Sequence, residues 1–156
     1  FGIENWYYKK VSELSGGQKQ LLCLASVMTM QPEILILDEP TAGLDPAGRL
    51  EILELIKELQ KKSGISIILV SHSMEDVADY VDRIVVMNKG KLFLDGTPKE
   101  VFGHYLELEE IGLRAPQVTY VVNELKKRGL DVDVSATTVD EAKNTIINAL
   151  RHRMNK

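Results

Sequence analysis

One short segment, Ile34-Leu35-Ile36-Leu37-Asp38-Glu39-Pro40, constrains the fold of this chain more than any other. Its four consecutive apolar residues predict a strand that is buried on both faces, as the strands of a parallel sheet are. The strand ends in two adjacent carboxylates, and open α/β sheets bind their ligands at the carboxyl ends of the strands. The segment therefore predicts both a fold class and the place of a site.

Strand and helix patterns alternate through Met87, which predicts an α/β layer with parallel strands. The pair Asp45-Pro46 starts one helix with an N-cap and a proline at the first helical position, and Gly64 ends that helix. The other elements predicted in this part are strands at residues 65–70, 84–87 and 92–94, the last two forming a hairpin, and helices at residues 15–30 and 74–81.

The pattern changes near Gly103, where we place a domain boundary. Residues 1–103 are predicted to form part of an α/β domain, a parallel sheet flanked by helices, and residues 104–156 a small α-rich C-terminal extension. Thr138 and Glu141 form a capping box that predicts the start of the last helix. The remaining predicted elements are helices at residues 98–102 and 116–129 and a short strand at residues 130–134.

Composition argues against several classes of protein. The formal net charge of −4 argues against broad nucleic-acid binding, which needs a basic face. The single cysteine, Cys23, cannot form an internal disulfide and favours a reducing compartment. No apolar run approaches the roughly 20 residues that span a bilayer. Because the chain opens on Phe1 with no signal peptide and no initiator methionine, we expect a fragment of a longer protein.

A glycine-rich loop, Leu14-Ser15-Gly16-Gly17-Gln18, precedes an amphipathic helix. Two glycines expose backbone N–H groups, the helix dipole favours an anion and the serine hydroxyl adds a donor, so the loop suits a phosphate. A flexible linker has a similar composition, but it would not be followed by Gln18 and an amphipathic helix. The chain contains no Gly-x-x-x-x-Gly-Lys-Ser/Thr phosphate loop.

Four further side chains are candidates for nucleotide chemistry. Asp38 suits Mg²⁺, a hard cation that prefers oxygen ligands, and Glu39 suits orienting or deprotonating the water that attacks a γ-phosphate. If the strands before them are neighbours, His72 lies beside Glu39 and can hydrogen-bond a γ-phosphate oxygen. The alternatives are two solvated acids at a strand end and a capping or core histidine. Asp45 is an N-cap, and it is also a candidate for a contact across a dimer interface.

In order along the chain, these segments resemble four motifs of the ATP-binding-cassette (ABC) ATPases. Residues 14–18 are similar to the signature, 34–40 to Walker B, 41–46 to the D-loop and His72 to the H-loop. The resemblance covers about residues 11–102. The family's Walker A lysine, adenine-stacking aromatic and Q-loop lie upstream and have no match here.

The resemblance implies a role for each candidate residue. Asp38 would support Mg²⁺, Glu39 would be the catalytic carboxylate and His72 would contact the γ-phosphate of ATP. The residues of the signature loop would contact the γ-phosphate of nucleotide held by the opposite subunit; they are Ser15, Gly16, Gly17 and Gln18. Without Walker A, the chain alone is expected neither to bind ATP tightly nor to hydrolyse it.

Residues 116–141 are similar to the C-terminal extension of energy-coupling factor (ECF) transporter ATPases. This implies an ATP-hydrolysing subunit of an ABC importer, a translocase that powers uptake of a vitamin or a transition-metal ion. Its partners would be a second ABC ATPase subunit in a homo- or heterodimer, a transmembrane scaffold subunit and a substrate-binding membrane subunit, with no nucleic acid. The protein would lie peripherally on the cytoplasmic face of the cell membrane, and the extension would serve dimerisation or regulation.

Two other functions stay open at this point. One is a soluble ABC ATPase of DNA repair or translation, although the chain has no long insertion between its motifs and is acidic. The other is a non-catalytic dimerisation fragment, which the missing phosphate loop favours.

Overall fold

The structure, a computed structural model, describes residues 1–154. It divides into two compact units, Phe1–His72 and a second unit that begins at Ser73. The boundary predicted at residues 103/104 does not coincide with this division and stays a prediction. Within residues 1–154, none of the helices is both long enough and apolar enough to cross a bilayer.

The first unit alternates helix and strand, as predicted. Two short 3₁₀ turns precede the glycine-rich loop, at Glu4–Trp6 and Val11–Glu13. The regular elements are α1 (Gly16–Met28), β1 (Ile34–Asp38), α2 (Pro46–Ser63) and β2 (Ser66–Val70). The two strands pair in parallel, from Ile34 opposite Ser66 to Asp38 opposite Val70. This register brings the carboxyl ends of β1 and β2 to the same edge of the sheet.

Local signals set the ends of the helices in this unit. Asp45 caps α2 by accepting a hydrogen bond from Gly48 N–H at 2.7 Å, and Pro46 occupies the first helical position. Gly64 ends α2 with a φ of 66°, a left-handed conformation that glycine adopts without strain. The helices cover the sheet through one buried cluster: Leu21, Leu24, Leu35, Ile52, Ile56 and Ile65.

The expectation that β1 is buried on both faces is wrong for the described residues. Leu35 is 4% exposed, whereas Ile34 and Ile36 are 58% and 65% exposed. Successive side chains of a strand point to opposite faces, and α1 and α2 pack on the Leu35 face. The other face continues on β2, where Ile68 is half exposed. Within the first unit this apolar face has no cover.

The second unit contains a hairpin and a set of helices. The predicted hairpin is confirmed: β3 (Ile84–Asn88) and β4 (Lys91–Gly96) pair antiparallel, with an irregularity between Val86 and Met87. The helices are α3 (Met74–Tyr80), α4 (Pro98–Gly103), α5 (Tyr105–Glu110), α6 (Gln117–Lys127) and α7 (Val139–Met154). One buried cluster joins Val77, Val86, Val101, Phe102, Leu108 and Ala115, and another joins Val122, Val132, Ala136, Ala142 and Ala149.

The strand predicted at residues 130–134 is wrong, because this segment has no regular structure. Its alternating apolar residues serve packing instead, since Val132 is 3% exposed in the cluster with α6 and α7. The backbone groups bond locally or to a side chain: Val132 N–H donates to Leu130 O at 2.9 Å and Asp133 N–H to Thr145 Oγ1 at 2.6 Å. Without a partner strand, alternation alone does not make a sheet.

The predicted cap of the last helix is present. Thr138 Oγ1 accepts the N–H of Glu141 at 3.3 Å, as a capping box requires. The Glu141 carboxylate also accepts Thr137 N–H at 3.0 Å and pairs with Lys99 Nζ at 2.7 Å. The cap residue therefore also ties α7 to α4.

Candidate functional site

Glu39 and His72 lie together where β1 and β2 end. Because the strands are parallel neighbours, the residues that follow them emerge at the same edge. Glu39 Oε1 is 2.8 Å from His72 Nδ1 and accepts the backbone N–H of His72 at 3.0 Å. The histidine side chain is 85% exposed and the glutamate side chain 32% exposed, so the pair is open to solvent at this edge of the sheet.

The backbone of Glu39 adopts an uncommon conformation. Its φ is +47°, in the left-handed region that costs a non-glycine residue about 1–3 kcal/mol. Three contacts maintain this geometry: Glu39 N–H donates to Val70 O at 2.9 Å, its carbonyl accepts Ala42 N–H at 3.0 Å, and its carboxylate accepts from His72. Strain that the surroundings over-determine in this way is typical of functional positions. The sequence carries no signal for it.

The contact with Glu39 fixes the tautomer of His72. An ionised carboxylate only accepts hydrogen bonds, so the proton of the imidazole must be on Nδ1. The other ring nitrogen, Nε2, then belongs to the exposed part of the side chain. When the ring carries two protons, Nε2–H can donate to an anionic oxygen. The pair can therefore orient a water at the carboxylate and contact a phosphate through the ring.

Asp38 is the last residue of β1 and is exposed at the same edge. No group of three or more histidine, cysteine or carboxylate side chains that could bind a metal occurs within residues 1–154. The single Asp38 carboxylate at this edge fits Mg²⁺ in nucleotide sites, where one or two carboxylates act together with phosphate oxygens and waters.

The glycine-rich loop forms a capping box at the start of α1. Ser15 Oγ accepts Gln18 N–H at 3.2 Å, and Gln18 Oε1 accepts Ser15 N–H at 3.0 Å. The hydroxyl accepts through a lone pair, so its hydrogen stays available to a ligand. The N–H groups of Gly16 and Gly17 belong to the first helical turn, which has no intrahelical acceptors. The Ser-x-x-Gln spacing itself is a capping-box signal that the sequence analysis missed.

The turn between Glu39 and α2 places Asp45 as a helix cap, which confirms the simpler of its two interpretations. Gly43 has a φ of 73°, so the turn uses a conformation that glycine permits. Next to it, Leu44 packs against the core cluster of the first unit. A methyl group added at Gly16 would come 3.5 Å from Leu44 Cδ2, so this side chain lies near the start of α1; sequence reasoning missed this proximity because residues so far apart give no local signal.

Comparison with known proteins supports the reading of these motifs. A family model described as "AAA domain, putative AbiEii toxin, Type IV TA system" matches residues 10–77, the part that carries the motifs. The chain is 50% identical over 150 residues to the energy-coupling factor transporter ATP-binding protein EcfA2 of Clostridium tetani, covering 96% of this chain and 52% of that protein. The chain is part of an ATP-binding-cassette ATPase.

Other relatives of this ATPase segment agree. It is 52% identical over 147 residues to EcfA2 of Caldanaerobacter subterraneus, covering 94% of this chain and 51% of that protein. Among solved structures it is similar to cbiO1 from Clostridium perfringens, described as part of the ABC transporter complex cbiONQ, with 43% identity and a TM-score of 0.62 over 78% of this chain and 49% of that one.

A more distant structure shows the same fold. The ADP conformation of MJ1267, an ATP-binding cassette of an ABC transporter, is 30% identical with a TM-score of 0.58, covering 66% of this chain and 40% of that one. The ATPase segment spans about half the length of the curated relatives that it matches. Its fold is therefore a partial P-loop ATPase domain with a parallel sheet flanked by helices.

Proposed function

We propose that this chain is part of the ATP-binding and ATP-hydrolysing subunit of an ABC importer of the ECF type. The observation that carries the proposal is the Glu39–His72 pair at the carboxyl edge of two parallel strands. It occurs in a chain about half identical to proteins named ECF transporter ATP-binding proteins. The enzyme class that follows is a translocase driven by ATP.

At the chain's own nucleotide, Glu39 orients the attacking water and accepts its proton, while His72, with both ring nitrogens protonated, donates to a γ-phosphate oxygen through Nε2–H. Asp38 would hold Mg²⁺, which would neutralise charge on the phosphate oxygens. The strained backbone of Glu39 and its contact with His72 keep the carboxylate in place before the nucleotide arrives.

The signature loop serves a second nucleotide, held by the opposite subunit. Its first-turn N–H groups and the hydroxyl of Ser15 are donors that suit the γ-phosphate, and the positive end of the α1 dipole adds to this. Asp45 contacts the same dimer interface from the turn before α2. ATP thus closes the dimer, and hydrolysis at Glu39 reopens it.

The partners follow from the ECF assignment. A second ABC ATPase subunit completes the dimer, and a transmembrane scaffold subunit converts its closure into movement of a substrate-binding membrane subunit. The transported substrate is a vitamin or a transition-metal ion. The ATPase lies peripherally on the cytoplasmic face of the membrane. Residues 1–103 supply the cassette and residues 104–156 a dimerisation or regulatory extension.

Replacement of one carboxylate tests the proposal in the longer ATPase that carries this sequence. Glu39→Gln keeps the size of the side chain but removes the base, so we expect ATP hydrolysis to fall by about 10²-fold or more while ATP still closes the dimer. Glu51→Gln, on the exposed face of α2, is the matched control and should hydrolyse like the wild type. A Glu39→Gln protein with the wild-type hydrolysis rate would remove Glu39 from this role.

A further inference from the structure

The second unit contains two separate hydrophobic clusters. The first, which we call the hairpin core, joins α3, α4 and α5 to the β3–β4 hairpin, and the second joins α6, α7 and the segment between them. No described residue belongs to both clusters. Residues 117–154 therefore form a module with a core of its own, which we call the α6–α7 module.

An aromatic contact and a charged contact attach this module to helices of the hairpin core. The ring of Tyr120 on α6 meets that of Tyr105 on α5 edge to face, with centroids 5.4 Å apart, and the Tyr120 hydroxyl accepts Ala115 N–H at 3.2 Å. On α7, Glu141 Oε1 is 2.7 Å from Lys99 Nζ of α4. The two helices of the module are thus attached by different kinds of interaction.

The carboxylate of Glu141 serves two elements at once. One oxygen pairs with Lys99, and the other accepts Thr137 N–H at 3.0 Å before the start of α7. The hydrogen bond to Glu141, the charge of that residue and the charge of Asp133 raise the pKa of Lys99. Asp133 lies in the segment between α6 and α7, where its carboxylate accepts Ser135 N–H at 2.8 Å. A positive charge on α4 therefore attracts two carboxylates of the module.

The charged attachment is much weaker than a buried contact. The side chains of Lys99 and Glu141 are 52% and 37% exposed. An exposed ion pair shifts an equilibrium by about fivefold at most, and salt screens it. The contact between Tyr120 and Tyr105 carries no charge, so salt does not screen it. The ion pair can therefore open while both hydrophobic clusters stay packed.

We propose that the Lys99–Glu141 pair is a salt-sensitive latch that holds the α6–α7 module on α4, and that the module pivots about the Tyr105–Tyr120 contact when the latch opens. A rise in ionic strength, or loss of the charge on Lys99, opens the latch. This inference goes beyond the proposed function, because the latch needs no nucleotide. If the extension serves dimerisation or regulation, the latch sets the position from which it does so.

The distance between two spin labels, measured by pulsed electron paramagnetic resonance on the 156-residue chain, tests the latch. Cys23→Ser removes the only cysteine, and Lys91→Cys on β4 and Asn148→Cys on α7 supply exposed label sites. At about 0.05 M salt one distance should dominate. At about 1 M salt, where the Debye length is about 3 Å, a second distance should gain population by about two- to fivefold. An unchanged distance distribution would overturn the proposal.

Substitutions separate the latch from general effects of salt. Lys99→Met removes the charge at similar length, so it should raise the second population by about two- to fivefold already at low salt and abolish the response to salt. Lys99→Arg keeps the charge and should behave like the wild type. Lys143→Met, at an exposed lysine of α7, is the matched control and should keep the wild-type response.

Two results with these variants would overturn the proposal. One is a Lys99→Met protein with the wild-type distance distribution at low salt, and the other is a response to salt that persists in Lys99→Met. The salt titration of the chain with Lys99 in place stays decisive even if Lys99→Met were to lose its fold. None of these measurements involves ATP, so they decide the latch independently of the proposed function.

Discussion

Alanine substitutions on the two faces of strand β1 should have different effects on stability. The size of this difference should depend on whether the rest of the cassette is present. Leu35 and Ile36 are neighbours of similar size, but one is 4% and the other 65% exposed. If the Ile36 face is covered in the longer ATPase, Ile36→Ala should be mild in the isolated chain and costly in the longer protein. Leu35→Ala should be costly in both.

The magnitudes follow from burial. Removing a buried leucine side chain down to alanine costs about 2–5 kcal/mol, because transfer and cavity terms add. Full burial of an isoleucine side chain stabilises a protein by about 1.5–3 kcal/mol. Ile36 is 65% exposed, so only about a third of its side chain is buried and its truncation to alanine should cost below about 1 kcal/mol. Once that face is covered, the cost of Ile36→Ala should rise to about 2–4 kcal/mol.

Urea unfolding measured by the fluorescence of Trp6 is a suitable assay. This residue is the only tryptophan of the chain and packs against the core cluster of the first unit. With a slope of about 2 kcal/mol per molar urea, Leu35→Ala should lower the midpoint by about 1–2.5 M and Ile36→Ala by less than about 0.5 M in the isolated chain.

Two results would refute this reasoning. Equal midpoint shifts for Leu35→Ala and Ile36→Ala in the isolated chain would show that the exposed face is already packed. An Ile36→Ala shift that stays below about 0.5 M in the longer ATPase would show that the rest of the cassette does not cover this face.

Three further predictions concern the second unit and the isolated chain. The Thr119 hydroxyl is buried and lacks a hydrogen-bond partner in the described residues, so Thr119→Val should raise the unfolding free energy by up to about 1 kcal/mol in thermal melts; a clear loss would contradict this. Partial burial raises the pKa of Glu141, but the hydrogen bond from Lys99 and that from Thr137 N–H outweigh it, so the pKa is lowered overall. A carboxyl group whose pKa is lower in the folded than in the unfolded protein stabilises the fold at pH values above its unfolded pKa. This stabilisation is lost as the pH falls below about 4.5. Glu141→Gln should therefore cost below about 1 kcal/mol at pH 7 and progressively less as the pH falls, and a cost independent of pH would contradict the pairing. The isolated chain should bind Mg²⁺-ATP more weakly than micromolar in calorimetry, because it has no phosphate loop, and micromolar binding would contradict this.

Features determined by neighbouring residues could be predicted from the sequence. Asp45-Pro46 and Gly64 mark the ends of α2 because caps act within one turn. The proximity of Glu39 and His72 followed from parallel pairing, since strands of similar length end at one edge. Such signals therefore predict where the helices end and which side chains meet at the carboxyl edge of the sheet.

Features determined by tertiary packing could not be predicted. The alternation of Leu130, Val132 and Val134 indicated a strand, yet the segment packs against helices because no neighbouring strand offers hydrogen bonds. Helix α5 was missed because it is only six residues long and follows α4 directly. The positive φ of Glu39 and the proximity of Leu44 to the start of α1 arise from residues that are distant in sequence.

Mixed dimers distinguish the two roles that we propose, Glu39 at the chain's own nucleotide and the signature loop at the partner's. Gly17→Asp is a suitable loop variant, because a side chain there would enter open space and its charge would repel phosphate. ATP cleaved per dimer can be compared between two mixed dimers that carry the same two substitutions. One has Glu39→Gln in one subunit and Gly17→Asp in the other, and the second has both in a single subunit.

The first dimer should keep one intact site, because both substitutions damage the same nucleotide site. The second dimer should lose both sites, because each substitution damages a different one. The reverse order, with the doubly substituted subunit giving the active dimer, would contradict the claim.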